Sequence, residues 1–330
     1  MRAVTLLFHD VYLTDPSESG FRSSAADRYK LSLAAFDAQL GALAAVREDA
    51  PLLVSDLVDR GRGRDRRDST QRSQRSGDRK EAALASLRSL RLAPRRPSPA
   101  LRSGPREAHP FIITFDDGGV SYYTLAADRL ERRGWRGHCF VSTDFIGTPG
   151  FLDAAQIREL DARGHVIGSH SASHPTRFSA CAFERMVEEW SRSRRVLEDL
   201  LGRAVQVASV PGGYFSASVA RAAAEAGITS LFTSEPITTI SQQSACALIG
   251  RYTIRRGDAS DLARRFVVPS SWARSTAWTA WNAKGLIKPL LGPSYIHLAD
   301  WLCWLRRNAE GAEVGLPRRS AEGAKAGRSS

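Results

Sequence analysis

Short apolar runs alternate along the chain with segments in which apolar residues recur every three or four positions. The runs have the length of buried strands, and the segments between them have the period of amphipathic helices. Strands alternating with helices predict a parallel sheet, and about seven strands predict an α/β fold with a closed or nearly closed (β/α) barrel. The predicted strands are 4–8, 111–115, 137–142, 165–169, 205–210, 228–233 and 248–254. The predicted helices are 33–46, 121–133, 153–163, 180–201, 216–226 and 259–266.

Local signals mark where several helices begin and end. Ser32 has a side chain suited to an N-cap, and Asp153 with Gln156 fits a capping box. Glycines that end a helical pattern supply left-handed C-terminal caps. They are Gly134, Gly164, Gly202 and Gly227.

Composition divides the chain into five segments. Residues 1–58 and 109–267 carry the predicted barrel, the first as an N-terminal strand and helix. Residues 59–108 are rich in arginine and offer little apolar surface to offset chain entropy, so they are expected to form a disordered insertion. Residues 268–307 predict a Trp-rich helical extension, and 308–330 a disordered tail.

The positive charge of the chain is concentrated in the insertion. The whole chain has a formal net charge of +12, and residues 60–107 account for +10 of it. The folded body is therefore predicted to be nearly neutral, which argues against a specific nucleic-acid partner. An arm that binds RNA or an anionic membrane stays an alternative, although such a run is more often a solvated segment.

The cysteines and the N-terminus bear on the compartment. Four cysteines are far apart and form no Cys-x-x-Cys pair, which favours reduced thiols in a cytoplasmic protein. The apolar run at the N-terminus is broken by His9 and Asp10 and is too short for a signal peptide. No apolar run is long enough for a transmembrane helix, so we expect a cytoplasmic protein, with the inner face of the membrane as an alternative.

Tryptophan is concentrated near the C-terminus, where residues 270–305 contain five of the seven in the chain, together with Arg and Lys. An amphipathic surface of this composition would suit peripheral membrane contact or a lipid-linked substrate. The alternative is a set of helices that pack their aromatic side chains on the barrel, which is the more usual role of such residues.

Candidate chemistry lies at the ends of two predicted strands. Asp116 and Asp117 directly follow the strand 111–115, and adjacent carboxylates at the mouth of a buried strand indicate a cation or a catalytic role. His170 and His174 have metal-ligand spacing on one face of a helical turn. Either pattern alone is more often structural, but their combination predicts a divalent metal held by Asp117, His170 and His174.

Two motifs carry a resemblance to a known family. Thr114-Phe-Asp-Asp-Gly118 and His170-Ser-Ala-Ser-His174-Pro175 resemble the first two motifs of the polysaccharide deacetylases, the NodB-homology or carbohydrate esterase 4 family. The resemblance covers residues 1–57 and 109–267 and implies a distorted (β/α) barrel. It also implies a metal-dependent hydrolase that removes N-acetyl groups from amino-sugar residues.

The resemblance assigns roles to the motif residues. Asp116 is implied to be the general base, and Asp117 is implied to ligate the metal with His170 and His174. Zinc is the expected metal, and cobalt, nickel and manganese also suit this ligand set. Backbone N–H groups of a later turn are expected to stabilise the oxyanion. That turn contains Gly212, Gly213 and Tyr214.

The proton donor for the leaving amine is less directly marked. His9 resembles the N-terminal histidine of the poly-N-acetylglucosamine deacetylase branch and is the preferred candidate, with His297 as an alternative. The third family motif usually begins with an arginine that pairs with the base, but Ser209 stands there in this chain. Arg251 or Arg255, after the next strand, could replace it. His109, His138 and His165 are expected to be ordinary structural histidines.

Several functions agree with this pattern. The first is removal of acetyl from an N-acetylated glycan or a lipid-linked amino sugar in cell-envelope or exopolysaccharide assembly in bacteria, by resemblance. The same scaffold could act as a deformylase, an O-deacetylase or a cyclic-amide hydrolase, or be a silent carbohydrate-binding relative. Two histidines and one carboxylate also suit mononuclear iron, but a neighbouring base favours hydrolysis. The pattern does not indicate an oligomeric state.

Overall fold

The computed structural model describes residues 1–57 and 109–291, with side chains described to residue 283. Residues Met1–Trp278 form one compact unit, and a second begins at Thr279. The first unit is built on a nine-stranded sheet in the order β11-β1-β4-β5-β6-β7-β8-β10-β9. Its strands are β1 Val4–Phe8, β4 Phe111–Phe115, β5 His138–Val141, β6 Val166–Ser169, β7 Val207–Ser209, β8 Ser230–Phe232, β9 Ser241–Gln243, β10 Cys246–Ile249 and β11 Tyr252–Thr253. A separate two-stranded sheet pairs β2 Val11–Tyr12 with β3 Leu31–Ser32.

The main sheet is parallel except at one edge. Its strand pairs from β11 to β10 are parallel, and β9 joins β10 in the antiparallel sense. The crossovers between parallel strands require intervening segments, most of which contain a helix, as the alternation in the sequence predicts. The α/β fold with a parallel sheet is therefore confirmed.

The sheet curls until its two ends meet. β10 ends at Ile249 and β11 begins at Tyr252, yet these strands lie toward opposite ends of the strand order. Three peptide steps span at most roughly 11 Å, so the two ends of the sheet are brought that close. The single strand predicted at 248–254 is wrong in this detail, because the chain there crosses the seam of an incompletely closed barrel.

Gly250 occupies this seam because the backbone is crowded there. A Cβ at this position would lie 2.4 Å from the carbonyl oxygen of Glu235. The same carbonyl accepts a hydrogen bond from the N–H of Arg251 at 2.8 Å. This contact between the backbone at Arg251 and the Glu235 carbonyl fixes the direction in which the Arg251 side chain points.

Helices cover the outer face of the sheet, and their ends follow the predicted signals. Ser32 caps α2 by accepting from Ala35 N–H, and Asp153 with Gln156 forms the capping box of α4. Gly202 ends α5 in the left-handed conformation, with φ of 65°. The helices are α1 Ser24–Asp27, α2 Leu33–Ala44, α3 Ala127–Glu131 with a π-helical turn at Tyr122–Ala126 before it, α4 Ala154–Ala162, α5 Phe183–Leu201, α6 Ala217–Glu225, α7 Leu262–Val267 and α8 Trp272–Leu291. Residues 54–57 are also helical.

Side chains along β4 alternate between two apolar layers, and this alternation determines which side chains face the interior of the barrel. Phe111, Ile113 and Phe115 pack in the large core between sheet and helices. Ile112 belongs instead to the smaller interior cluster that includes Phe140 and other strand residues. Side chains two residues apart lie on the same face of a strand, so Thr114 and the residue after β4 at position 116 continue the interior row.

The predicted insertion 59–108 and tail 308–330 lie outside the described residues. Trp272 and Trp278 are 84% and 51% exposed, so the Trp272 side chain does not pack on the barrel as one alternative expected. Trp301 and Trp304 lie beyond the described part of the chain. In residues 1–57 and 109–291, no helix is both long and apolar enough to cross a bilayer.

Candidate active site

The carboxylate of Asp116 projects into the barrel and is paired there with Arg251. The guanidinium Nη1 lies 2.7 Å from Oδ1, and Nη2 donates to Oδ2 at 2.8 Å. Asp116 is 4% exposed, and Arg251 is fully buried. Burial alone would raise the pKa of Asp116, but Arg251 and His170 outweigh burial and hold it below its ordinary value. Asp116 is therefore ionised across the neutral range.

Ser209 stands where the third motif would place an arginine, and it joins the same ion pair. Its hydroxyl donates to Asp116 Oδ2 at 3.1 Å and accepts from Arg251 Nη2 at 2.8 Å. Arg251 therefore occupies the role that the sequence left open between two arginines. Arg255 points elsewhere, since its guanidinium stacks on the ring of Tyr29.

Asp117, His170 and His174 are brought together at the mouth of the barrel. Nε2 of each histidine lies 3.4 Å from Oδ1 of Asp117, and the three ligand atoms lie within 4.8 Å of one another. Two imidazoles and a carboxylate with this spacing fit one divalent ion, with coordination positions left for other ligands.

The backbone at this cluster is held in an uncommon conformation. Asp117, Ser171 and His174 have φ of 75°, 64° and 52°. Non-glycine residues with positive φ are costly and concentrate at functional sites. The loops that carry the ligands are therefore held in place by their surroundings.

His170 is oriented by a backbone hydrogen bond. Its Nδ1 lies 2.9 Å from the carbonyl oxygen of Ser209, which accepts only if Nδ1 carries the proton. This contact directs Nε2 toward Asp117, and in the neutral ring it is Nε2 that would offer its lone pair to a metal ion. This arrangement is the usual outer support of a metal-ligating histidine.

Glu189 on α5 holds the loop between the two histidines. Its Oε2 accepts from the N–H groups of Ala172 and Ser173 at 3.1 and 2.8 Å, and its Oε1 accepts from the Ser173 hydroxyl at 2.6 Å. Glu189 is only 5% exposed. Sequence analysis missed this residue, although a glutamate on the apolar side of the predicted helix was a signal that could have indicated it.

Electrostatics within the cluster follow from these contacts. Burial acts to raise the pKa of Asp117, but hydrogen bonding to His170 and His174 holds it well below its ordinary range. Burial acts to lower the pKa of His174, but Asp117 outweighs burial and raises it. The carboxylate is thus ready to act as an anionic ligand.

His9 lies beside the base and the metal cluster. It follows β1, whose Phe8 is in register with Phe115 of β4, so His9 and Asp116 are adjacent at the ends of paired strands. Its Nδ1 is buried with no hydrogen-bond partner in the described residues, and its ring packs on Tyr29 at 4.7 Å. Burial lowers the pKa of His9, although the charges of Asp117 and Asp116 act to raise it.

The residue after His9 ties the N-terminal segment to the Asp-Asp-Gly loop. Asp10 Oδ1 accepts from the hydroxyls of Ser19 and Ser121 at 2.6 and 2.8 Å. A Cβ on Gly119 would lie 1.9 Å from that oxygen, so only glycine fits. Burial raises the pKa of Asp10 to about 6.

The turn 212–214 follows β7 and lies against the loop after His174. A Cβ on Gly212 would lie 3.2 Å from the carbonyl oxygen of Thr176. The N–H of Gly213 donates to Val210 O at 3.3 Å, and Tyr214 is 38% exposed. The structure thus places the turn beside the metal-ligand loop, and the oxyanion role of its N–H groups stays a prediction.

The histidines expected to be structural have structural partners. His138 Nδ1 lies 3.2 Å from Ile113 O, and its Nε2 accepts from Val54 N–H at 3.1 Å. His165 bridges Tyr122 and Glu131 through its two ring nitrogens. His297 lies outside the described residues.

Comparison with known proteins agrees with this geometry. The family model for polysaccharide deacetylase matches residues 103–231. This part of the chain is therefore similar to the polysaccharide deacetylase family. The Bacillus subtilis protein named "Putative polysaccharide deacetylase YxkH" is 26% identical over 137 residues, which are 42% of this chain and 49% of YxkH. The chain therefore spans about half the length of this relative.

Solved structures show the same fold as the deacetylase domain. The Streptococcus pyogenes deacetylase PplD in complex with acetate is 16% identical with a TM-score of 0.53, covering 82% of this chain and 99% of PplD. IcaB from Ammonifex degensii is 20% identical with a TM-score of 0.51, covering 84% of this chain and 96% of IcaB. A de-N-acetylase from Aggregatibacter actinomycetemcomitans is 16% identical with a TM-score of 0.54, covering 77% of this chain and 95% of that one. The predicted distorted barrel and the resemblance to the family are both confirmed.

Proposed function

We propose that this protein is a metal-dependent hydrolase that removes N-acetyl groups from amino-sugar residues of a glycan. One observation carries the proposal: a cluster of two histidines and a carboxylate lies beside a second, ion-paired carboxylate. His170 Nε2, in the cluster, lies 3.9 Å from Oδ2 of Asp116, the second carboxylate. The similarity of residues 103–231 to the family supports the same class of reaction.

Asp117, His170 and His174 would hold the metal ion, and zinc is the proposed occupant. Zinc suits nitrogen and oxygen donors in this number, while cobalt, nickel and manganese suit them as well. When bound, such an ion lowers the pKa of a ligated water and polarises the substrate carbonyl.

Asp116 is proposed to take the proton of the attacking water. Its carboxylate has about four lone-pair sites, of which Arg251 and Ser209 occupy three. The remaining site, on Oδ1, can accept the water proton as the water oxygen bonds to the acetamide carbon. Arg251 keeps Asp116 ionised until that moment, which is the requirement for a general base.

His9 is proposed to protonate the departing amine. The C–N bond breaks as the nitrogen receives this proton, and the products are acetate and the free amino sugar. The carbonyl oxygen carries negative charge before this step, and the turn 212–214 is proposed to donate to it through the N–H of Gly212 or Tyr214, since that of Gly213 donates to Val210 O. The proposed substrate is an N-acetylated oligosaccharide, polysaccharide or lipid-linked amino sugar of bacterial cell-envelope or exopolysaccharide assembly.

Acetate release from an N-acetylglucosamine oligomer tests the proposal. The protein is stripped with a chelator, reloaded with zinc, and assayed beside Asp116→Asn and the exposed control Asp199→Asn. We expect acetate only after reloading, full activity in Asp199→Asn, and loss of turnover with metal still bound in Asp116→Asn. Turnover that survives complete metal removal, or metal binding that survives the joint change of His170 and His174 to alanine, would overturn the proposal.

A further inference from the structure

Three side chains form a column at the rim of the barrel next to the proposed proton donor. Tyr29 is in the middle, with its ring centroid 4.7 Å from that of His9. The guanidinium carbon of Arg255 lies 5.4 Å from the centroid of the same ring. The column therefore links the proposed proton donor to a guanidinium.

Strand register explains why Arg255 lies near His9. β1 and β11 are parallel neighbours, with Leu7 paired to Thr253. His9 and Arg255 each lie two residues beyond that pair, so they occupy equivalent positions at the carboxyl ends of adjacent strands. Ile254 N–H donates to Leu7 O at 2.9 Å, which holds this register at the rim.

The positive charge of Arg255 is not compensated within the described residues. Its guanidinium makes neither an ion pair nor a hydrogen bond there, and its Nε is buried without a partner. By contrast, Arg251 in the seam nearby makes a two-pronged pair with a carboxylate. A buried donor left without an acceptor costs roughly 1–3 kcal/mol, so a bound acceptor would be favourable here.

Arginine and tyrosine together provide the chemistry to recognise a charged sugar. A guanidinium binds a carboxylate or phosphate with two parallel hydrogen bonds. The Tyr29 ring, packed between His9 and Arg255, holds the guanidinium in place beside the proposed proton donor.

We propose that Arg255 and Tyr29 form a subsite for an anionic group of the substrate, adjacent to the sugar that loses its acetyl group. The inference rests on the proposed function and narrows its substrate to an N-acetylated sugar that carries a carboxylate or a phosphate. The carboxylate would come from a neighbouring uronic acid, and the phosphate from the anomeric position of a linked sugar.

Pairs of an anionic and a neutral saccharide distinguish a carboxylate from a phosphate as the bound group. Di-N-acetylchitobiose is compared with the disaccharide of glucuronic acid and N-acetylglucosamine, and N-acetylglucosamine with its 1-phosphate. Binding to the zinc-loaded protein is measured by calorimetry, and acetate release is measured in parallel. The variants are Arg255→Gln, Arg255→Lys and the control Arg256→Gln, whose exposed guanidinium lies over Tyr12 instead.

We expect the wild type to bind at least one anionic saccharide more tightly than its neutral match. Arg255→Gln should weaken that binding and raise KM roughly ten- to hundredfold, since hydrogen bonds to charged groups are worth about 1.5–3 kcal/mol. Binding of the neutral match should change less than about twofold, Arg255→Lys should recover part of the loss, and Arg256→Gln should behave as wild type.

Equal affinity of the wild type for anionic and neutral saccharides would overturn the inference. The inference would also be overturned if Arg255→Gln weakened the binding of anionic and neutral saccharides by the same factor. Arg255 would then only support the Tyr29 ring. Absence of acetate from every saccharide, with binding still dependent on Arg255, would contradict the proposed function and leave the subsite standing.

Discussion

Arg251 and Asp116 are 135 positions apart in the sequence and form a two-pronged ion pair inside the barrel, at 2.7 and 2.8 Å. Arg251 reaches the pair from the seam where the sheet closes, and Asp116 reaches it from the end of β4. The proposed base therefore depends on a side chain that belongs to the last part of the sheet.

Arg251→Gln tests this dependence. The change leaves a buried carboxylate unpaired, which costs roughly 3–5 kcal/mol of stability. It also raises the pKa of Asp116, so the base becomes protonated at higher pH and the acidic limb of kcat/KM moves upward. A pH profile and urea unfolding measure the two effects. If Arg251→Gln does not fold, Ser209→Ala tests the same point, because it removes the hydrogen bonds to Asp116 and from Arg251 but no charge.

Arg264→Gln is the matched control, because its ion pair with Asp261 is at the surface and should contribute no more than about 1 kcal/mol. An acidic limb that stays in place in both Arg251→Gln and Ser209→Ala would contradict the role of the ion pair.

Local patterns predicted the strands, the helix caps and the positions of the motif residues. Asp116, Asp117, His170 and His174 each follow a strand, and strand ends of a parallel sheet meet at one edge, so their meeting was predictable. Helix ends at Ser32 and Gly202 were predictable because capping is a local interaction.

Partners from distant segments were not predictable in the same way. Arg251 and Arg255 were equivalent in the sequence, and only the seam at Gly250 decides which of them points inward. Glu189 lay on the apolar side of its predicted helix, which marked it as unusual without identifying its partners, and Tyr29 lay in a polar stretch. Their roles depend on contacts that no local pattern encodes.

Glu189→Gln should weaken metal binding. Glutamine can keep these contacts only with a neutral acceptor, because its NH2 would then donate to the Ser173 hydroxyl, so the charge-assisted hydrogen bonds from Ala172 and Ser173 N–H weaken. Changes of this kind behind metal ligands typically cost 10- to 100-fold in affinity. Competition with a chromophoric chelator measures the affinity for zinc. Glu188→Gln changes the exposed neighbour on the same helix and should bind zinc as tightly as the wild type. Equal zinc affinities of the two variants would show that Glu189 does not support the metal-ligand loop.

His9→Gln should lower kcat by roughly 10²- to 10⁴-fold while metal content stays unchanged. The donor must be protonated, and burial lowers its pKa below the ordinary 6.5, so activity should fall as pH rises through that lowered value. The alkaline limb of the kcat profile should disappear in His9→Gln. His109→Gln is the control, and an unchanged rate or an unchanged limb in His9→Gln would rule out His9 as the donor.

Asp10→Asn should change the pH dependence of stability in the metal-free protein. The pKa of Asp10 rises from 3.8 to about 6 on folding, so the native state binds the proton more tightly. Stability is therefore highest below pH 4 for this group and falls between pH 4 and 6, by up to roughly 3 kcal/mol. In Asp10→Asn, the amide oxygen can accept from both serine hydroxyls. The side chain does not ionise, so this loss of stability does not occur.

Urea unfolding at pH 4 and pH 8 measures the difference. The change in stability between these values should be the same in the wild type and Asp199→Asn, and in Asp10→Asn it should be more favourable by roughly 1–3 kcal/mol. Identical changes in all three proteins would show that Asp10 ionises without cost.

The division of the site along the chain has a consequence for how the protein could be dissected. The family match at residues 103–231 includes the three ligand side chains and the base, but His9 precedes it and Arg251 follows it. A fragment trimmed to that match would retain the three proposed metal ligands and the proposed base, but it would lose the proposed proton donor, the partner of Asp116 and strands β1, β10 and β11. Because β4 would then lack its neighbour β1, the limits of the sheet, and not those of the family match, define the piece of chain to express.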